Sequence, residues 1–257
     1  MVKRALTIAS SDSGGGAGIQ ADLKAFAAAG VHGQSAIVAL TAQSTVGVSA
    51  IEELPPGFVR AQLEAAFGDI GVDAAKTGML FSARAIETVA GFLRGHRVPL
   101  VVDPVLVASS GARLLEDDAA AALVSELWPL ATVVTPNLVE AEAFAGGTGS
   151  RAELAERLHE LGAPAVIVTG GHGADAVDHL FDGRGHVEIR VERHDVAATH
   201  GAGCTHSATL AALLAKGASL EQSARGAAAA ASRAVAQGLV ELGAGEGPVD
   251  VLGVRGR

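Results

Sequence analysis

Two glycine-rich turns carry the strongest chemical signals in this sequence. The first covers residues 11–18, Ser-Asp-Ser-Gly-Gly-Gly-Ala-Gly, and lies between an apolar run and a helical pattern. It is neither a dinucleotide fingerprint, because Ile19 stands where the last glycine is required, nor a P-loop, because no Gly-Lys-Ser/Thr follows. Four glycines in five residues cost more backbone entropy than a simple turn requires. We therefore favour close approach of the backbone to a ligand over a merely flexible connection.

The second turn, His200-Gly201-Ala202-Gly203-Cys204-Thr205, precedes an apolar helical pattern. Small residues at a helix N-terminus leave backbone N–H groups uncovered, and such groups attract phosphate. We therefore predict an anion hole at Gly201, Ala202 and Gly203. The same helix field lowers the pKa of a thiol, which predicts a reactive Cys204. The alternative interpretation of Cys204 is a small buried side chain.

Two acidic residues follow predicted strands. Asp103 ends the apolar run 98–103, and Glu140 lies one turn into the helix that follows Thr135-Pro136-Asn137. Because the carboxyl ends of parallel strands meet at one edge of a sheet, both acids are expected near the glycine-rich turns. Two carboxylates beside a phosphate site suit Mg²⁺. The alternative for Glu140 is a capping box with Asn137.

Zinc is a poor candidate for the metal. His200 and His206 flank Cys204, but their separation is not a recurrent ligand spacing and the chain has no second cysteine.

Alternating strand and helix patterns must position these residues. Strands are predicted at 5–9, 35–40, 73–77, 98–103, 131–135 and 164–169, and helices at 19–26, 59–67, 86–93, 123–127 and 154–161. Residues 176–181 and 186–191 flank Asp-Gly-Arg-Gly and predict a hairpin. Two helices close the chain, the second opened by a Ser219–Gln222 capping box. We predict one α/β domain over residues 1–257, with a mostly parallel sheet, helices on both faces and an antiparallel hairpin near one edge.

Composition narrows the class of protein. The chain has 257 residues, a net charge of −9 and 49% hydrophobic residues, so a large core is possible and phosphate-backbone binding to nucleic acid is not expected. A single cysteine excludes an intramolecular disulfide. We found neither a signal-peptide pattern nor an apolar run long enough to span a membrane. These features predict a cytoplasmic protein without nucleic-acid or membrane partners.

Taken together, the segments resemble the hydroxymethylpyrimidine/phosphomethylpyrimidine kinases, the thiamin-biosynthetic branch of the ribokinase-like superfamily. The resemblance runs in family order over nearly the whole chain. The opening motif at 5–24 and the Gly-x-Gly-Cys-Thr motif are its most specific parts. The matching segments are 5–24, Thr41-Ala42-Gln43, Lys76-Thr77-Gly78-Met79-Leu80, Asp103-Pro104-Val105, Thr135-Pro136-Asn137-Leu138, Gly170-Gly171-His172, 199–205 and 247–250.

This resemblance implies a three-layer ribokinase-like sandwich and a kinase reaction. The γ-phosphoryl group of ATP would pass to the hydroxymethyl group of 4-amino-5-hydroxymethyl-2-methylpyrimidine, and a second one to its monophosphate. Cys204 would act as general base or orient the hydroxyl, and Asp103 and Glu140 would hold Mg²⁺ directly or through water. The pyrimidine-binding residues implied are Gln43, Asp12, Asp22 and Met79. Family members are commonly homodimers.

The sequence departs from the family pattern at several positions. Serine at 10 and 44 replaces the usual glycine and asparagine, Ser109 and Thr169 stand at usual lysine positions, and His206 replaces leucine. The lost lysines remove phosphate-facing charge. Two alternative functions stay open: a pyridoxal or pyridoxine kinase on the same scaffold, and a non-catalytic pyrimidine- or nucleotide-binding protein, which the missing lysines suggest. Retention of Cys204, Asp103 and Glu140 speaks against the second alternative.

Overall fold

The computed structural model describes residues 1–106, 118–170 and 176–256. The strands in these ranges are β1 (Arg4–Asp12), β2 (His32–Ser44), β3 (Gly47–Glu53), β4 (Ala74–Thr77), β5 (Leu100–Val102), β6 (Val133–Val134), β7 (Val166–Val168), β8 (Val177–Phe181) and β9 (His186–Arg190). The α-helices are α1 (Gly18–Ala28), α2 (Pro56–Ala65), α3 (Ala83–Leu93), α4 (Ala119–Ala122), α5 (Leu138–Ala145), α6 (Arg151–Glu160), α7 (Ala202–Ala215) and α8 (Leu220–Ala236).

These strands form one sheet in the order β3-β2-β1-β4-β5-β6-β7-β8-β9. Six consecutive strands of the sheet run parallel to one another: β2, β1, β4, β5, β6 and β7. Strands β8 and β9 add the antiparallel hairpin that the sequence predicts. Parallel neighbours need crossover helices, which explains the strand–helix alternation. The predicted α/β class and the hairpin near one edge are confirmed.

A second antiparallel pair, at the opposite edge, was not predicted. The strand expected at 35–40 continues to Ser44, turns, and returns as β3. Every residue of β3 is exposed or half-buried, and the strand includes Ser49, Glu52 and Glu53. An edge strand with little buried surface lacks the apolar pattern from which strands are recognised.

Helices cover both faces of the sheet and create two apolar cores. Helices α2 to α6 pack on one face, around the fully buried Trp128, and α1, α7 and α8 pack on the other. This arrangement is the three-layer sandwich that the resemblance implies. Helix ends follow local rules, since the capping boxes at Asn137/Glu140, Ser150/Glu153 and Ser219/Gln222 are all formed. Across the described ranges, every helix is too short or too polar to cross a lipid bilayer.

Candidate functional site

The first glycine-rich turn wraps around the carboxylate of its own Asp12. That carboxylate ends β1 and accepts hydrogen bonds from the backbone N–H groups of Gly14 (2.7 Å), Gly16 (3.0 Å) and Ala17 (2.8 Å). Burial acts to raise the pKa of Asp12, but hydrogen bonds from His200 and from these amides outweigh it and lower the pKa. Asp12 is therefore ionised at neutral pH and organises the turn from within.

The two glycine-rich turns pack directly against each other. His200 Nε2 lies 3.1 Å from Asp12 Oδ2, although the two residues are 188 positions apart. A Cβ atom on Gly16 would strike the ring of His200, and one on Gly201 would strike the carbonyl oxygen of Gly16. The absence of side chains thus allows one turn to contact the other, whereas the sequence suggested contact with a ligand.

The start of α7 provides uncovered backbone amides, although not the full set that the sequence predicts. Gly201 is its N-cap in the left-handed conformation, with φ of 85°, and makes no capping hydrogen bond through a side chain. The N–H of Ala202 donates to the carbonyl oxygen of Thr199 at 3.0 Å. The N–H groups of Gly203 and Cys204 belong to the first turn and have no helical acceptor. The uncovered donors at the positive end of α7 are therefore the predicted Gly203 and, in addition, Cys204, whereas the N–H of the predicted Ala202 is already engaged.

The thiol of Cys204 does not have the lowered pKa that its position predicts. Burial is the main cause that raises its pKa to about 12, and the negative charges of Asp22 and Asp103 act in the same direction. The positive charge of Lys76 lowers the pKa only in part. The helix N-terminus is therefore outweighed by desolvation and by two carboxylates, and the thiol is neutral at pH 7. The residue keeps some exposed surface, so the burial that raises the pKa is the protein packed around the thiol and not complete exclusion of solvent from the residue.

A buried lysine lies beneath this turn, and the sequence analysis assigned it no role. The side chain of Lys76, on β4, is fully buried, with Nζ 2.9 and 3.0 Å from the two carboxylate oxygens of Asp22 and 3.6 Å from Asp103 Oδ2. Burial disfavours its charge, but the carboxylates outweigh burial and raise the pKa of Lys76 above its usual value. A lysine that directly follows two alanines within a short predicted strand was the available signal.

Asp22 is fully buried and does not reach the protein surface. It lies on α1, and its carboxylate accepts from Thr7 Oγ1 at 2.6 Å besides contacting Lys76. In this structure Asp22 therefore supports the site from underneath, whereas the resemblance implied that it lines the substrate pocket.

The acidic pair Asp103 and Glu140 is buried at the carboxyl ends of β5 and β6. Asp103 Oδ2 accepts from Ser207 Oγ at 2.8 Å, and Glu140 accepts from the backbone N–H groups of Asn137 (2.9 Å) and Leu106 (3.3 Å). Burial, followed by the charge of Asp103, raises the pKa of Glu140 to about 8. The capping box is thus confirmed. Two buried, mutually repelling carboxylates also suit a divalent cation with oxygen ligands, which would relieve the repulsion.

Gln43 lies on the β2–β3 side of the site. A bulge occurs between Ala42 and Gln43. Ser13 Oγ, from the first glycine-rich turn, accepts from the N–H of Gln43 and donates to its carbonyl oxygen, both at 2.8 Å. Thr41 Oγ1 donates to Gln43 Oε1 at 3.0 Å. A shallow cavity of about 490 Å³ borders Gln43, Ser13 and Ser44. These contacts hold the side-chain amide at a solvent-accessible edge.

Met79 is buried on the loop after β4, and Ser10 anchors its backbone. The carbonyl oxygen of Met79 accepts from Ser10 N at 3.1 Å and from Ser10 Oγ at 2.9 Å. The serine that departs from the family pattern therefore ties this loop to β1.

His206, another departure, is buried on α7. Its Nε2 lies 3.1 Å from Asp178 Oδ2, and Asp178 Oδ1 accepts from the N–H of Gly170 at 2.8 Å. The pair thus connects α7 to the end of β7, where Thr169 follows. Three residues that the sequence analysis named lie outside the described residues: Ser109, Gly171 and His172.

Comparison with known proteins gives consistent results. The family model described as phosphomethylpyrimidine kinase matches residues 12–250. A hydroxymethylpyrimidine/phosphomethylpyrimidine kinase from Rhizobium meliloti is 49% identical, with 97% of each chain covered. Among solved structures, an ADP complex of Bacillus subtilis pyridoxal kinase has 37% identity and a TM-score of 0.90, covering 99% of each chain. A phosphomethylpyrimidine kinase from Clostridium difficile has 38% identity and a TM-score of 0.78, covering 88% of this chain and 96% of its own.

Proposed function

The chain belongs to the phosphomethylpyrimidine kinase family, and we propose that it transfers the γ-phosphoryl group of ATP to the hydroxymethyl group of 4-amino-5-hydroxymethyl-2-methylpyrimidine in thiamin biosynthesis. The monophosphate is the proposed acceptor of a second transfer. The observation that carries the proposal is the uncapped start of α7 beside the buried pair Asp103 and Glu140. Phosphoryl transfer depends chiefly on positioning and charge stabilisation, and these groups supply both.

The amides of Gly203 and Cys204 are proposed to stabilise the charge on the phosphoryl group during transfer. They are rigidly placed, because Gly201 holds the turn in its left-handed conformation and packs against Gly16. Preorganised donors of this kind need no rearrangement as charge develops.

Asp103 and Glu140 are the proposed ligands of Mg²⁺, directly or through water. The metal would supply positive charge next to the nucleotide phosphates. The protein prepares this site by fixing both carboxylates: Ser207 holds Asp103, and the start of α5 holds Glu140.

Cys204 is proposed to contact the acceptor hydroxyl. With a pKa of about 12 its thiol is protonated at neutral pH, so the role that the structure favours is orienting the hydroxyl. Service as a base requires the thiol pKa to fall when substrates bind, because only the thiolate accepts a proton.

On the acceptor side, Gln43 is proposed to pair with the aminopyrimidine edge, because a side-chain amide offers both a donor and an acceptor. Asp12 contributes by organising the turn that carries Ser13, which in turn holds the Gln43 backbone. Met79 is proposed as an apolar contact of the ring. Asp22 is proposed to act from below, through Lys76.

Pyridoxal phosphorylation is the second candidate function. It is favoured by one observation, the near full-length match to a solved pyridoxal kinase. The pyridine substrate carries a phenolic oxygen where the pyrimidine carries an amine, so the two substrates differ at the edge that Gln43 would read.

A substrate panel separates the candidates. ADP release should be measured with Mg²⁺ and ATP in the presence of the aminopyrimidine alcohol, its monophosphate, or pyridoxal. We expect the highest kcat/KM with the aminopyrimidine alcohol. Higher kcat/KM with pyridoxal would instead assign the chain to the second function. A cytoplasmic homodimer is also proposed, from the resemblance, and light scattering of the purified protein would test the dimer.

A further inference from the structure

We propose that Lys76 is a positioning residue for phosphoryl transfer: its buried ammonium holds the carboxylates of Asp22 and Asp103 and places a permanent positive charge beneath the turn that carries Cys204. The inference deepens the proposed function and rests on it. It starts from the placement of Lys76 on β4, where its carboxylate partners come from α1 and from the residue directly after β5. The charge of Lys76 also acts on Cys204 of α7.

The cluster is not a closed ion pair. One ammonium faces two carboxylates, with Nζ 2.9 Å from Asp22 Oδ1 and 3.6 Å from Asp103 Oδ2. Replacing an isolated buried ion pair by apolar side chains is often neutral or stabilising, so packing alone gives little reason for a lysine at this position. Two buried carboxylates repel each other when both are ionised. Both can keep their negative charge only if a positive charge lies beside them, and the Lys76 ammonium supplies it.

The surrounding groups fix where the ammonium lies. Thr7 Oγ1 donates to Asp22 Oδ2 at 2.6 Å, which orients that carboxylate toward Lys76. A Cβ atom on Gly78 would lie 2.9 Å from Nζ, so the turn after β4 leaves room for the ammonium only because residue 78 is glycine.

The cluster continues into α7 through Ser207. Its hydroxyl donates to Asp103 Oδ2 at 2.8 Å and lies 3.2 Å from the carbonyl oxygen of Cys204, one turn earlier on the same face of the helix. Lys76 therefore acts on two functional groups at once. It holds Asp103 where a metal ligand is needed, and its charge favours the anionic form of the Cys204 thiol.

The test uses the thiol as a reporter, because Cys204 is the only cysteine in the sequence. Alkylation by iodoacetamide is measured between pH 7 and 10 in enzyme free of metal and nucleotide, for Lys76→Met, Asp22→Asn and the control Lys216→Met. Lys216 lies at the end of α7 and contacts the carbonyl oxygen of Ala29. Thermal unfolding establishes that each variant is folded.

Opposite changes are expected from the two cluster variants. Lys76→Met should slow alkylation about tenfold or more, and Asp22→Asn should accelerate it by a similar factor, since a charge at this range shifts a pKa by roughly one unit or more. Lys216→Met should match the wild type. In turnover, Lys76→Met should lose about 10²-fold in kcat with a nearly unchanged KM for ATP, because the backbone amides that bind phosphate remain.

Acceleration of alkylation by both cluster variants would overturn the proposal, because a merely loosened structure exposes the thiol whatever the sign of the charge removed. So would a kcat of Lys76→Met within about threefold of the wild type. If Lys76→Met does not fold, an unchanged alkylation rate in Asp22→Asn overturns the proposal by itself. Wild-type enzyme without kinase activity would refute the proposed function, whereas the signs of the alkylation changes judge Lys76 independently.

Discussion

Metal binding at Asp103 and Glu140 should depend on pH in a way that the burial of Glu140 determines. Its pKa of about 8 in the metal-free protein means that about ten molecules in eleven carry the proton on Glu140 at pH 7, and about one in eleven at pH 9. Mg²⁺ requires the carboxylate. The apparent affinity should therefore rise about tenfold from pH 7 to pH 9, or about 1.4 kcal/mol, and then level off.

Calorimetric titration of the metal-free protein with Mg²⁺ measures this dependence. At pH 7, comparison of two buffers that differ in ionisation enthalpy should show release of about 0.9 proton per bound ion. Glu140→Gln should weaken binding and remove both the pH dependence and the proton release. Glutamine still serves in a capping box, so α5 should stay folded.

Glu153→Gln is the matched control. Glu153 closes the capping box of α6 in the same way, but it is at the surface, and hydrogen bonds from Ser150 lower its pKa. This variant should bind Mg²⁺ like the wild type at every pH. Equal affinities of the wild type at pH 7 and pH 9, or wild-type behaviour of Glu140→Gln, would refute the assignment of Glu140 to the metal.

Two further substitutions test the acceptor side. Cys204→Ala should lower kcat by about 10²-fold, because no polar group is left to orient the acceptor hydroxyl, and it should change ATP affinity little, because the backbone amides at the start of α7 are untouched; a nearly wild-type rate would make Cys204 a packing residue. The wild-type rate should show no ascending limb from the thiol near pH 7, since the thiol pKa is about 12. Gln43→Leu should weaken pyrimidine binding by about 1–3 kcal/mol and spare ATP, as titration with each ligand would show; equal losses for both ligands would indicate misfolding.

The sequence determined the parts of this protein that depend on local rules. Periodic patterns predicted the helices around 19–26 and 86–93, and continuous apolar runs predicted β5 and β7. Such a pattern depends only on which faces of an element are buried, so it can be recognised without knowing which element packs against it. Capping boxes join residues three positions apart, so Asn137 and Glu140 were recognisable in advance. Because the carboxyl ends of parallel strands meet at one edge of a sheet, the sequence also predicted that both acids lie near the glycine-rich turns.

Other features arose only from tertiary contacts. The cluster of Lys76 with Asp22 and Asp103 joins residues far apart in sequence, and no spacing rule links them. The contact of Gly16 with Gly201 likewise gives the glycines a role in packing that neither turn shows alone. Edge strand β3 is defined by its pairing with β2, because its own residues bury little surface.

The pKa of the Cys204 thiol shows most clearly how local rules and tertiary contacts differ. Its position at a helix start is a local fact and predicts a low pKa, whereas burial, together with carboxylates from α1 and from the end of β5, raises the pKa to about 12. A helix terminus acts over one turn of backbone, so the sequence reveals it. Desolvation and Coulomb interactions sum over every group nearby in space, and only the folded chain decides which groups those are.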